Sequence, residues 1–130
     1  MNELILIRGI PGSGKSEFVS SYLADQAVHI ETDQFFVGVD GVYRFIPEKL
    51  KIAHAWCQVK AEVYLRRGVT VVVSNTFSQQ WELQPYIDMA KFQGVKLRVL
   101  TVHGDYGSQH NVPRKSIQKM IDRWEPDPVL

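Results

Sequence analysis

Residues Gly9-Ile10-Pro11-Gly12-Ser13-Gly14-Lys15-Ser16 spell G-x-x-x-x-G-K-S, and no other stretch limits the possible folds of this chain as much. Glycines at fixed places let a backbone close into a nest of N–H groups, because a Cβ would block the left-handed turns or the close approach of an anion. Gly12, Ser13 and Gly14 form that cradle, Lys15 is spaced to reach outer phosphates, and the Ser16 hydroxyl is spaced to hold magnesium. Such a loop needs a buried strand before it and a helix after it, since the helix N-terminus adds free N–H groups and a positive dipole end. Both are present. Leu4-Ile5-Leu6-Ile7 reads as a fully buried strand, and Glu17 to Asp25 carries Phe18, Val19, Tyr22 and Leu23 at helical spacing. At ordinary glycine usage of about 7%, fewer than about one chain in a hundred of this length would match by accident. The reading is binding of ATP or GTP.

The 130 residues suit one domain, 1–130, with a sizeable core. Fifteen basic and fourteen acidic residues leave a net charge of +1, so no global field is available to hold a long polyanion. The single Cys57 makes no internal disulfide, which suits a reducing cytoplasm. The apolar run before the loop is too short for a signal peptide or a membrane span.

Strands and helices then alternate. Val28-His29-Ile30-Glu31 reads as a second strand with Thr32-Asp33 at its carboxyl end, the edge where open α/β sheets place their ligands. Asp40-Gly41 between apolar residues signals a small β-excursion across Val37 to Phe45. Pro47 opens a long helix to Arg67, with Ile52, Ala55, Trp56, Val59 and Val63 on its inward face and Gly68 as its stop. Val69 to Val73 is the most β-prone run and reads as a central strand that delivers Ser74-Asn75-Thr76 to the same edge as Asp33. A helix from Gln79 to Gln93 follows, buried through Leu83, Tyr86, Ile87 and Ala90 and ended by Gly94; Pro85 is compatible with it only in the first turn. Val95 to Val102 forms a fourth strand, and the polar, glycine-containing stretch from His103 to Asn111 reads as a lid, about 103–113. Val112-Pro113 starts a last helix with Ile117, Met120, Ile121 and Trp124 facing inward. The pattern predicts an α/β fold, a three-layer α/β/α P-loop NTPase sandwich on a mostly parallel sheet of four to five strands.

Asp33 is the first candidate for chemistry after the loop. A carboxylate at that strand end takes the proton of an attacking hydroxyl or orders magnesium through water, and its alternative role is to cap a turn. Ser74 and Asn75 stand where many P-loop enzymes carry a magnesium-ordering acid; they either bond a metal-held water or the γ-phosphate, or cap the next helix. Arg44, His110 and Arg114 are the further candidates for phosphate or substrate contact, with Lys115 and Arg123 later on the last helix. Between His103 and Asn111 there is no Arg or Lys. His29 and His54 default to structural or solvated roles, and Phe35, Phe36 and Trp81 either stack on a base or pack.

The ordered set G-I-P-G-S-G-K-S, E-T-D-Q-F-F, D-G-V-Y-R-F with P-E-K-L-K-I-A-H, V-V-V-S-N-T-F with W-E-L-Q-P-Y, and H-N-V-P with I-Q-K-M-I-D-R-W-E resembles the small AAA-type ATP-binding domains related to polynucleotide 5′-hydroxyl kinase, from Leu4 to about Glu125. The resemblance implies an ATP site at Gly12 to Ser16 with Val112 and Pro113 near the adenine, and an Asp33 that acts on the acceptor hydroxyl. This chain departs from the pattern at Phe36, where an Arg is usual, at Asn75 and Phe77, where an acid and an Asn are usual, and near Gly107, where a lid Arg is usual. The expected activity is transfer of the ATP γ-phosphate, with Mg2+, to a hydroxyl: first a polynucleotide 5′-OH, alternatively a small molecule. A nucleotide-binding module with little or no catalysis is the reading from another class.

Overall fold

Successive residues of a strand face opposite sides of its sheet, and β1 (Glu3–Arg8) is apolar on both. Leu4 and Leu6 point one way and Ile5 and Ile7 the other, all of them fully buried. Only a sheet covered on both faces satisfies such a strand. The computed structural model describes residues 2–22, 27–104 and 112–130 and places β1 between β3 (Thr70–Asn75) and β4 (Lys96–Thr101). β2 (Ala27–Ile30) lies outside β3, giving the order β2-β3-β1-β4 with every pairing parallel. Helices α2 (Leu50–Arg66) and α3 (Gln80–Gln93) pack on Leu4, Leu6, Val71 and Val73, while Val19 of α1 (Lys15–Tyr22) packs with Ile5, Ile7 and Val72 on the other face. This is the expected three-layer sandwich, on four strands.

Parallel register brings the strand ends level. Ile7 pairs with Ser74 and with Leu100, so the loops after β1, β2 and β3 share one edge. The Asp40-Gly41 turn forms, with Gly41 at φ 76°, but the excursion is a single antiparallel bridge between Val37 and Tyr43. In α3, Leu83, Tyr86, Ile87 and Ala90 are the buried face, and Gly94 caps the helix at φ 67°.

Three expectations are corrected. The inward face of α2 is Ala53, Cys57, Ala61 and Leu65. Small residues there let the helix lie close to the sheet, and this leaves Ile52, Ala55, Val59 and Val63 exposed, with only Trp56 of the expected stripe packed against the core. Pro85 lies in the second turn of α3, not the first. The missing N–H would have bonded the carbonyl of Trp81, a residue exposed enough for water to take its place. α4 (Arg114–Asp122) buries none of its residues, since both sheet faces are already occupied by α1, α2 and α3; Ile121 is exposed and Ile117, Met120 and Trp124 are half-buried. Among the described residues, no helix is long and apolar enough to cross a membrane.

Arg8, the last residue of β1, is completely buried. Its Nε and Nη2 donate to the Phe77 carbonyl at 3.0 and 2.9 Å, Nη2 also donates to the Glu125 carbonyl at 2.6 Å, and Nη1 pairs with Asp127 at 2.5 Å. Its guanidinium lies 4.5 Å from the centre of the Trp124 ring. One cation thus ties the sheet to the β3–α3 loop and to the segment after α4. Arg8→Met strands these acceptors, and we expect it to lower the unfolding free energy by about 3 kcal/mol in urea titration. A loss under about 1 kcal/mol, the size of an ordinary surface contact, would show that the clasp is not needed.

Candidate active site

The loop from Gly9 to Ser16 runs from β1 into α1, with Gly12 at φ 82° and Gly14 at φ 93°, values that an L side chain rarely adopts. Gly9 is required for a different reason: a Cβ there would lie 2.3 Å from Ser13 Oγ and 3.0 Å from the Val102 carbonyl. Ser13 N donates to the Ile10 carbonyl at 3.1 Å, closing the turn. Lys15 Nζ donates to the Gly9 and Ile10 carbonyls at 2.8 and 3.1 Å. Burial lowers the Lys15 pKa, against the opposing pull of the Glu31 and Asp33 carboxylates.

A cavity of about 570 Å³ opens over this loop. Gly12, Gly14, Lys15, Ser16, Asp33, Ser74, Asn75, Val112 and Pro113 all line it. Ser13 lies beneath it, fully buried, and its Oγ has no hydrogen-bond partner among the described residues. Arg44 and Arg114 do not line the cavity; Arg44 is held by the Asp40 carboxylate through bonds of 2.8 and 3.2 Å, and Arg114 is exposed in the first turn of α4. The cation that does reach it from the last helix is Arg123, whose Nε donates to Ser78 Oγ at 3.1 Å. His110 and residues 105–111 of the expected lid lie outside the described residues.

Asp33 sits in a 3₁₀ turn, Thr32–Phe36, that follows β2 directly. It does not cap that turn; its Oδ1 accepts the Tyr43 hydroxyl at 3.3 Å. Burial and the Asp33 charge push the Tyr43 phenol up to about 12, so it stays a donor at neutral pH. The turn is pinned from β3: Asn75 Oδ1 accepts both the N–H and the hydroxyl of Thr32 at 2.8 Å. Neither Ser74 nor Asn75 caps α3, whose N-cap is Gln79 in a reciprocal box with Glu82. Phe36 is buried in an aromatic group with Phe35, Tyr43 and Phe45, and exposed Trp81 bonds Gln79; none of Phe35, Phe36 and Trp81 lines the cavity.

Sequence reasoning missed Glu31 and His54, and named Arg123 only after Arg44 and Arg114. Glu31 Oε2 accepts from Ser74 Oγ at 3.1 Å and stands 3.5 Å from Ser16 Oγ, with His29 Nε2 at 3.7 Å. Its position in the alternation was available as a signal: His29 and Glu31 are two apart, and His29 pairs with Val72, which faces the α1 layer. Burial lowers the pKa of His54, partly offset by the nearby Glu82 charge, and both residues line the cavity. Among the described residues, no group of three His, Cys, Asp or Glu could hold a metal ion by itself.

The fold and loop define a P-loop domain of kinase-like architecture, and the chain belongs to a family of AAA domains whose pattern matches residues 4–106. It is 30% identical over 136 residues to NEDD4-binding protein 2 of Homo sapiens, a match covering 94% of this chain and 8% of that much longer protein. A chain of the Pnkp1/Rnl/Hen1 RNA repair complex has the same fold, with a TM-score of 0.65, 19% identity, and coverage of 94% of this chain and 37% of that one. So does the APS kinase CysC of Mycobacterium tuberculosis in complex with AMPPNP and APS, with a TM-score of 0.59, 14% identity, and coverage of 91% and 67%.

The two bonds to Asn75 make a direct prediction. Asn75→Ala leaves the buried Thr32 N–H and hydroxyl without their acceptor and should cost about 1–3 kcal/mol of stability by urea titration. An unchanged midpoint would mean that the turn bearing Asp33 is held by something else.

Proposed function

We propose that the chain is an ATP-dependent phosphotransferase that moves the γ-phosphoryl group to the hydroxyl of a small, uncharged or cationic molecule. The observation that carries this is a cavity lined by the phosphate loop and Asp33 and also by Tyr43, Phe45, Leu50, His54 and Glu82. Nucleic acid sites track the backbone with cations. Here Lys15 and Arg123 are the only Lys or Arg side chains among the described lining residues, and Arg44 is tied to Asp40. The family match and the kinase folds support phosphoryl transfer in general, and the CysC complex with AMPPNP is a case of this fold with a nucleotide bound.

In this reading, Gly12, Ser13 and Gly14 wrap the β-phosphate with backbone N–H groups, and Lys15 balances the charge of the β- and γ-phosphates. Val112 and Pro113 stand by the adenine. Ser16 would hold magnesium, and the oxygen-rich surroundings of its hydroxyl fit that ion. When bound, the ion neutralises charge on the β- and γ-oxygens. Asp33, steadied by Tyr43, accepts the acceptor's proton as the new oxygen–phosphorus bond forms. The bond from the γ-phosphorus to its bridging oxygen breaks, and ADP carries that oxygen away.

The test is transfer from γ-labelled ATP, with magnesium, to a panel of sugars, nucleosides and amino alcohols run beside a 5′-hydroxyl oligonucleotide. We expect label on a small acceptor and little on the oligonucleotide. Lys15→Ala should weaken ATP binding about tenfold or more, whereas Asp33→Asn should slow transfer about 10²–10⁴-fold with ATP affinity nearly unchanged. Faster labelling of the oligonucleotide would make the polynucleotide 5′-OH the acceptor, as the likeness to the Pnkp1 complex would have it. Binding without transfer or hydrolysis would leave a nucleotide-binding module.

A further inference from the structure

β3 ends in Ser74-Asn75, so the strand beside the phosphate loop delivers no carboxylate to the cavity. We propose that Glu31 supplies it from the neighbouring strand and is the acid that organises magnesium at Ser16. This rests on the nucleotide reading above and goes beyond it by assigning a metal-organising role to a residue of this chain.

The displacement is by one strand at the same level of the sheet. The last registered pair of β2 and β3 is Ile30 with Val73, so Glu31 and Ser74 are the next residue on each strand. Their side chains meet, with Ser74 Oγ donating to Glu31 Oε2 at 3.1 Å. The same carboxylate oxygen lies 3.5 Å from Ser16 Oγ, the hydroxyl that the loop pattern assigns to the metal. That separation is a long hydrogen bond and a short span for two oxygens around one ion or one ion-held water. Magnesium favours such a set, because it takes few protein oxygens and completes its octahedron with water and substrate phosphates.

Ser74, backed by His29, holds the carboxylate in place. Ser74 has one hydroxyl proton and gives it to Glu31, so the 2.5 Å contact from His29 Nε2 to Ser74 Oγ requires His29 to donate through Nε2. The imidazole nitrogen is thereby committed to Ser74 and offers no lone pair to a metal, which keeps the donor set all-oxygen and suits magnesium over softer ions. Charge points the same way. A carboxylate placed at the triphosphate end of the cavity repels the nucleotide unless a cation lies between them, so Glu31 is tolerable in a nucleotide site chiefly as a partner of a metal ion.

The test is calorimetric titration of AMPPNP into the protein, once with magnesium and once with a chelator. The unaltered protein should bind more tightly with magnesium. Glu31→Gln should lose about 10–100-fold of that metal-dependent gain, the usual cost of removing a ligand's close support. Its affinity in the chelator should stay the same or improve, because a repelling charge is gone. Ser74→Ala, which frees the carboxylate without removing it, should lose part of the same gain. A Glu31→Gln protein that keeps the full gain overturns the assignment, as does an equal loss with and without magnesium. Should Glu31→Gln fail to fold, Ser74→Ala decides alone: an undiminished gain overturns the proposal. No nucleotide binding by the unaltered protein would instead overturn the nucleotide reading itself.

Discussion

A strand that is apolar on both faces has to lie inside a covered sheet, and the position of every group in the cavity follows from that constraint on β1. With β1 in the middle, β3 and β4 flank it in parallel, and β2 is added beyond β3. Parallel neighbours in register end at one level, so three loops that are far apart in the chain converge there. The phosphate loop leaves β1, the turn bearing Asp33 leaves β2, and Ser74-Asn75 closes β3. Apolar side chains fix where the strands lie, and that placement brings Lys15, Ser16, Glu31, Asp33 and Ser74 around one cavity.

Polar contacts then set the details. On the edge shared by β2 and β3, Asn75 holds Thr32 and Ser74 holds Glu31, so two adjacent residues of β3 fix the Glu31 carboxylate and the turn that carries Asp33. Beneath them Arg8 closes the structure from the other direction. Its bonds to Phe77, Glu125 and Asp127 draw the chain beyond α4 onto the sheet, which keeps Arg123 and Met120 at the cavity wall. The Phe77 carbonyl it grips belongs to a residue at φ 48°, a left-handed conformation costly for an aromatic side chain. The Arg8 clasp and the buried edge-to-face contact of Phe77 with Tyr86, 5.7 Å between ring centres, hold the strained backbone.

Much of this was legible in the residues. The phosphate loop, the four strands and the inward face of α3 are local patterns, because each depends on spacing within one segment. What could not be read depends on partners elsewhere in the chain. The aliphatic stripe of α2 is the more hydrophobic face by composition, yet the close approach of the sheet selects the smaller one with Ala53, Cys57 and Ala61. Arg8 in a strand of aliphatic residues gives no hint of its acceptors, which lie 69 and more residues away. Glu31 read as the last residue of a strand, and only the register of β2 on β3 shows that it stands over Ser16 and not over the core. Asn75 was expected at the nucleotide or at a helix cap; its acceptor oxygen is engaged by Thr32 across the sheet.

The central claim is that nucleotide phosphates bind at the shared strand edge, between the loop and Asp33. The most direct measurement is hydrogen–deuterium exchange of the intact chain with and without magnesium and AMPPNP. Slowed exchange is expected to concentrate at residues 9–18, with a second region at residues 31–36 where the turn bearing Asp33 is held by Asn75. Protection confined to another surface, such as the exposed side of α2, would contradict it, and so would saturating nucleotide that left residues 9–18 exchanging as before.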